Sequence, residues 1–319
     1  MPRFPRNLFE FGQMFHAEGA CVDYLISTRF PDGFVCPECS AKKAYWLPDR
    51  YAFKCAKCGS WTYLLAGTVM ENTKMPICTW FMGAYLMVTH VPGISALQFQ
   101  RQAGIRTYET AFQMLHKLRA AMVRPERGRL SGAVEVDETY VGGEKEGKPG
   151  RGAFGKVIVV GAVEVVRQHA GRARLKVVPD ASEESLAGFV KDNVEEGSKV
   201  ITDGWFSYQN LDVYGYRHVV IEGEDGAEIA SEMKHIHRVF GNLKTWLIGT
   251  HHGVSGKHLP AYLNEYVFRF NRRLNPMLAF NTILGLAVHA EAPTYKELYA
   301  VGEEGGWVHP NPQGEDDDD

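Results

Sequence analysis

Four cysteines fall into two C-x-x-C pairs, Cys36/Cys39 and Cys55/Cys58, with 15 residues between them. Each pair makes a tight knuckle that points two thiolates at one ion, and the interval suits a four-thiolate site for structural Zn²⁺. The flanking runs "FVCPECS" and "FKCAKCGS" each read as a short strand entering a knuckle. Disulfides are the alternative pairing. The amino terminus "MPRFPRNLFEF" carries positive charge without an apolar core, so secretion into an oxidising compartment is not expected. Cys21 and Cys78 read as small buried apolar side chains rather than ligands.

A second set of residues is spread more widely. Asp137 stands in "VEVDETYVGG" and Asp203 ends the run "VITDGW". Aspartates near strand ends sit at the rim of a sheet, where two facing one cavity repel unless a divalent cation, Mg²⁺ or Mn²⁺, lies between them. The bland reading of either one alone is a turn or edge residue. His237 follows Asp203 by 34 positions, on the amphipathic run "HIHRVFGNLKTW". Lys244 is seven positions further and so two helical turns along nearly the same face. Glu232 and Asn242 compete for the third ligand position. Seven residues after Glu232 stands Val239 rather than a lysine, and Asn242 is too close to Lys244. Glu135 and Glu138 read as solvated or supporting neighbours of Asp137.

The elements that must position these residues change character along the chain. Residues 8–27 read as helical and 30–68 as a ribbon; a helix then starts near Pro76, whose missing N–H costs little in a first turn. The run "GISALQFQRQAGIRTYETAFQMLHKLRAAM" gives two helical patterns broken at Gly104, with Ser95 and Thr107 as amino-terminal caps. With Arg101, Arg106, Lys117 and Arg119, this is compatible with a helix-turn-helix whose second helix enters a major groove. After the linker "RPERGRLSG" come three β-rich runs, the helix "SEESLAGFVKDNV", two further strand-like runs and then helices. That order predicts an α/β fold, an RNase H-like mixed sheet flanked by helices. The expected domains are residues 1–70 (helix and zinc ribbon), 71–128 (helical DNA-binding region), 129–290 (RNase H-like domain) and 291–319 (a tail with an acidic end).

The 319 residues carry a formal charge of -3, which by itself does not point to nucleic acid. Residues 1–130, however, hold 16 Lys or Arg against nine Asp or Glu, and the terminal "GEDDDD" masks this basic front half. The most apolar run, "CTWFMGAYLMVTHV", is too short to span a bilayer, so no membrane partner is expected. The loop "GGEKEGKPGRGAFGK" at 142–156 is glycine-rich and basic, which suits either a phosphate-tracking loop or a plain hairpin connection. In "HLPAYLNEYVFRFNRR", Leu259, Tyr262, Leu263, Tyr266, Val267 and Phe270 share a core face, leaving Arg269, Arg272 and Arg273 as exposed candidates for DNA contact.

Four blocks in order, "RFPDGFVCPECSAKKAYWLPDRYAFKCAKCG", "VEVDETYVGG", "ITDGWFSY" and "NLKTWLIGTHHGVSGKHLPAYLNEYVFRFNRR", resemble the ISXO-like insertion-sequence transposases. The resemblance implies an amino-terminal zinc ribbon, a DDE-type RNase H-like catalytic domain, and metal-dependent DNA strand cleavage and strand transfer. It makes Asp137 and Asp203 the first two catalytic residues and Lys244 the lysine that follows the third. His237 falls where the family has glutamate or asparagine. Replacing an acid by neutral imidazole removes a negative charge, which predicts weaker Mg²⁺ binding and relatively better use of Mn²⁺. The implied partners are double-stranded DNA, as terminal inverted repeats and target, and further copies of the chain in a homo-oligomer on that DNA. The implied location is the cytoplasm, associated with the nucleoid. A DNA-binding protein descended from a transposase, with weakened or lost catalysis, is the main alternative, and an RNase H-like nuclease a further one.

Overall fold

Two C-x-x-C turns and one twisted sheet organise separate parts of this molecule, a computed structural model that describes residues 4–124, 127–142, 156–221, 231–294 and 297–298. The chain forms two units: Met1–Pro125 with Arg272–Ala300, and Glu126–Asn271 with Val301–Asp319.

In the first unit, helices α1 (Leu8–Met14) and α2 (Glu18–Arg29) replace the single helix expected over 8–27. The chain breaks because Phe15 leaves helical geometry and turns inward, 7% exposed, against Tyr24, Phe81 and Phe280. A three-stranded antiparallel ribbon follows: β1 (Ala44–Leu47), β2 (Ala52–Cys55) and β3 (Trp61–Tyr63). Helix α3 (Ile77–Thr89) is buried along most of its length. The Glu18 carboxylate accepts hydrogen bonds from the N–H groups of Ile77 and Cys78 at 2.7 and 3.1 Å, satisfying donors that a helix start leaves free. Helices α4 (Ala96–Ala103) and α5 (Tyr108–Ala121) are capped by Ser95 and Thr107 as expected, and Gly104 takes the left-handed conformation between them.

The second unit is built on a five-stranded sheet of β4 (Ala133–Val141), β5 (Val157–Val166), β6 (His169–Val178), β7 (Lys199–Thr202) and β8 (Arg217–Val220), in the order β6-β5-β4-β7-β8. The β6-β5-β4 part is antiparallel, and β4, β7 and β8 run parallel. This is the mixed RNase H-like sheet that the element order predicts. Strand β6 begins at His169, earlier than the run "ARLKVVPD" suggests, because Arg167 and Gln168 both take positive φ and close a two-residue hairpin.

Strand alternation gives the sheet two apolar faces. Val134, Val136, Val160, Ala162 and Val200 pack on one side with α6 (Glu183–Asn193). Val159, Val163, Ala173 and Leu175 pack on the other with α7 (Lys234–His251) and α8 (Leu259–Phe270). The last helix, α9 (Pro276–Ala287), leaves the domain expected to run to 290 and joins the first unit instead. Its Phe280 lies within 6.3 Å, ring to ring, of Phe11, Phe15, Phe81 and Tyr85, and Asn281 accepts the Tyr24 hydroxyl at 2.6 Å. The glycine-rich loop, within 143–155, and the acidic tail from 299 onward lie outside the described residues.

Candidate metal centre and catalytic site

The two cysteine knuckles are built alike. Cys36 and Cys55 accept, through their carbonyls, from the N–H groups of Ser40 and Gly59 at 2.9 and 3.1 Å, and both of those residues have positive φ. The Cys36 and Cys55 N–H groups donate in turn to Ala41 and Ser60, each at 2.9 Å. The repeated turn aims all four sulfurs at one point: Cys36 and Cys58 are 3.7 Å apart, Cys39 and Cys55 3.6 Å, and no pair exceeds 4.8 Å. A tetrahedron of Zn–S bonds about 2.3 Å long has edges near 3.75 Å, whereas a disulfide needs about 2.05 Å. Ser60 Oγ lies 3.2 Å from Cys36 Sγ and 3.0 Å from Cys58 Sγ. That hydroxyl holds both thiols below their ordinary range, Cys36 to about 6, which favours the ligating thiolates.

The second site forms where β7 ends beside the middle of β4. Glu135 on β4 pairs with Ile201 on β7, so continuing that register sets Asp137 beside Asp203. Asp203 Oδ1 accepts from the Trp205 N–H at 3.1 Å, which fixes the turn leaving the strand. His237, near the start of α7, faces both carboxylates: its Nε2 is 3.7 Å from Asp137 Oδ2, and Asp203 is among the charges that favour its protonation. Glu232 and Asn242, the rival positions, are exposed.

Two features bring α7 to this place. Glu135, 3% exposed, accepts from the N–H groups of His235 and Ile236 at 2.9 and 2.8 Å and so pins the start of the helix two residues from Asp137. Gly161 pairs directly with Asp137 across β4 and β5, and a Cβ there would lie 2.8 Å from Phe240 of α7. The missing side chain lets the helix sit against the sheet one turn beyond His237. Neither role could be assigned from spacing, although Glu135 stands beside the aspartate.

Burial lowers the His237 pKa against the pull of Glu135 and Asp203, so the imidazole is held in its neutral, ligating form. Its Nε2 is buried and has no hydrogen-bond partner among the described residues; at 3.7 Å the contact with Asp137 is too long to be one. Three carboxyl groups, Glu135, Asp137 and Asp203, gather here, the first two buried, while Glu138 turns to the other face of β4. An unpartnered ring nitrogen among excess negative charge fits a divalent cation. The set is more open than the thiolate cluster, which alone among the described residues brings three or more ligand atoms within 4.8 Å of one another.

Tyr208 joins the site unannounced by the sequence. Its hydroxyl donates to Glu138 at 3.0 Å, and burial beside Glu138, Asp137 and Asp203 raises its pKa well above the usual value, keeping it a neutral donor. Lys244 is half-buried; burial and nearby Lys156 lower its pKa while Asp137 opposes them. With Lys156, Tyr140, Leu247 and Ile248, it lines a cleft of about 380 Å³.

The expected DNA-contacting residues divide. Arg101 and Arg106 are exposed around the α4–α5 turn. Arg119 is 1% exposed and Lys117 half-buried, because α5 turns Ala111, Phe112, Leu115 and Leu118 into the core of the first unit. Arg119 is therefore withdrawn as a surface contact; the accessible part of α5 is its first turn. Arg269 is likewise not free surface: its side chain is 14% exposed, 3.6 Å from the buried Glu265 and over the Trp246 ring. Arg272 is half-buried and Arg273 exposed.

Comparison with known families gives two matches. Residues 16–60 match the transposase zinc-ribbon domain, and residues 129–271 match the ISXO2-like transposase domain. None of the curated proteins matches. A solved structure titled "CryoEM structure of simian T-cell lymphotropic virus intasome in complex with PP2A regulatory subunit B56 gamma" is similar at 14% identity and a TM-score of 0.31. That match covers 53% of this chain and 63% of the other. Carrying a transposase zinc ribbon ahead of an ISXO2-like transposase domain, the chain belongs to the ISXO2-like transposases.

Proposed function

We propose that this protein is the DNA transposase of an insertion sequence, which binds the terminal inverted repeats of its element and catalyses metal-dependent strand cleavage and strand transfer. The observation that supports this most is the parallel register of β4 with β7, which continued by two residues sets Asp137 beside Asp203, with His237 of α7 3.7 Å from Asp137. Asp137, Asp203 and His237 would hold Mg²⁺ or Mn²⁺. A bound divalent cation supplies charge neutralisation at the reacting phosphate and a lower pKa for an attacking water.

The chain's own residues do the positioning. Lys244 stands two turns along α7 from His237 and meets the backbone of the strand being cut. Glu135 fixes the helix that carries both. Tyr208, held neutral, donates to Glu138 and fixes that carboxylate on the opposite face of the sheet. Cleavage at an element end leaves a 3′-hydroxyl, and that hydroxyl then attacks a target phosphodiester. One P–O bond forms as another breaks, with no covalent enzyme intermediate; in-line placement and electrostatic stabilisation carry the rate. Arg101, Arg106 and the first turn of α5 contact duplex DNA, and a homo-oligomer joins the two ends.

The test is an excision and insertion assay in cells, using a marked element flanked by the gene's own neighbouring DNA. Wild type is compared with Asp137→Ala and His237→Ala. Movement by wild type that both variants lose is the expected result. The presence of histidine at position 237 favours one rival, a DNA-binding protein with weakened catalysis. No movement by wild type, with end DNA still shifted in a gel, would establish that rival instead.

A further inference from the structure

The outer face of the ribbon carries groups that neither the zinc site nor the catalytic reading uses. Tyr45 pairs with Lys54, and Lys54 with Trp61, across the three strands, while Tyr63 follows Trp61 by two residues and shares its face. Tyr45, Trp61 and Tyr63 are 58%, 39% and 48% exposed. The ribbon's own packing does not need them: Phe53, on the other face, already rests against Phe30, Phe34 and Trp46 at 5.5, 4.8 and 4.8 Å.

Trp61 and Tyr63 are stacked, with centroids 6.3 Å and planes 23° apart. The Arg50 guanidinium lies 5.2 Å and the Lys54 ammonium 5.7 Å from the Trp61 centroid. Beside Tyr63 the surface falls into a cleft of about 320 Å³ lined by Arg50, Tyr51, Tyr63, Leu65, Glu71 and Asn72. Arg50 and Tyr63 belong to both the platform and the cleft.

We propose that this face binds the unpaired bases of single-stranded DNA. Trp61 and Tyr63 each stack on a base, Arg50 and Lys54 meet the backbone phosphates, and a further base enters the cleft, where Glu71 and Asn72 offer hydrogen-bonding groups. Charge complementarity selects an anionic strand, and the exposed rings select the flat faces of its bases. In a duplex those faces are covered, at a rise of about 3.4 Å per step. Rings 6.3 Å apart suit neighbouring bases that are splayed apart. The proposal stands whether or not the catalytic reading does, since it uses only ribbon residues and the turn that follows.

The test uses the full-length, zinc-loaded protein with a fluorescent oligonucleotide of about ten nucleotides, compared with the same sequence as a duplex. Single strand should bind more tightly than duplex. Trp61→Ala and Tyr63→Ala should each weaken single-strand binding about tenfold and leave duplex binding unchanged. Trp61→Phe should keep most of the affinity, and Lys54→Ala should reduce the salt dependence by the equivalent of about one phosphate contact. Equal losses for duplex and single strand, equal effects of Trp61→Phe and Trp61→Ala, or no single-strand binding would overturn the proposal. Zinc content checks each variant's fold. Should a variant lose its zinc, photocrosslinking of a bromouracil-substituted strand to wild type decides instead: adducts at Trp61 or Tyr63 support the site, and adducts confined elsewhere reject it.

Discussion

The two metal-ligand sets of this protein solve opposite problems. The four thiols lie within residues 36–58, on two turns of the same design, and their sulfurs already stand at the edge lengths of one tetrahedron. Asp137, Asp203 and His237 come from a strand, a turn and a helix, and are held by groups outside the set: Glu135 at the helix start and Gly161 beneath it. The first site is closed and local, so its metal can organise the chain around it. The second is open and assembled at long range, so the fold must exist before an ion can be held. A closed set saturates its metal with protein ligands, whereas an open one leaves positions for substrate.

Zinc removal should break this comparison most severely. Chelation, or Cys36→Ser, takes away a binding energy of the order of 10–16 kcal/mol in small zinc domains. The ribbon should unfold and single-strand binding should be lost while the five-stranded sheet persists. Hydrogen exchange would check it, with protection lost over residues 30–64 and kept in β4 and β5. Loss of protection in both units together would mean that the ribbon is not an independent local structure. The complementary change, Asp137→Asn or Asp203→Asn, should lower strand cleavage by about a thousandfold or more. Relief of carboxylate repulsion should leave the melting temperature, measured without added divalent ion, unchanged or raised.

This division also governs what the sequence discloses. The knuckles, the Ser95 and Thr107 caps and, apart from the earlier start of β6, the strands of the mixed sheet depend on neighbours a few positions away, and they stand where spacing and alternation place them. Arg119 reads as a basic surface residue because its neighbours look helical, yet the core that encloses it is completed in part by α9, far along the chain. Gly161 looks like any strand glycine until register puts it opposite Asp137 and under Phe240. The Glu135 carboxylate meets backbone groups 100 and 101 positions away, a contact that no local pattern contains.

Position 237 sharpens the comparison by chemistry rather than by loss. Neutral imidazole gives the site one negative charge fewer than an acid would, and it suits later divalent metals better than Mg²⁺. His237→Glu should therefore tighten Mg²⁺ binding by roughly tenfold or more and reduce the relative preference for Mn²⁺. His237→Ala should weaken both. Calorimetric titration of each ion into the DNA-free protein would measure this without reference to activity. Equal affinities in wild type and His237→Glu would remove His237 from the ligand set.

The smallest expected effect tests whether the open site is held from outside its ligands. Glu135 is buried, and burial raises its pKa, yet two helix N–H groups at 2.9 and 2.8 Å depend on it. Glu135→Gln keeps an acceptor oxygen of similar shape but loses the charge that opposes the positive end of α7. Removing a charged acceptor from buried donors costs about 1–3 kcal/mol, so the second unit should melt at a lower temperature. The start of α7 should also sit less firmly over Asp137, so cleavage should fall more than DNA binding does. Hydrogen exchange at the His235 and Ile236 amides gives the direct reading: faster exchange there, with α8 unaffected, is the expected result. If those amides stay protected and only cleavage falls, Glu135 acts on the reacting groups themselves rather than through the helix.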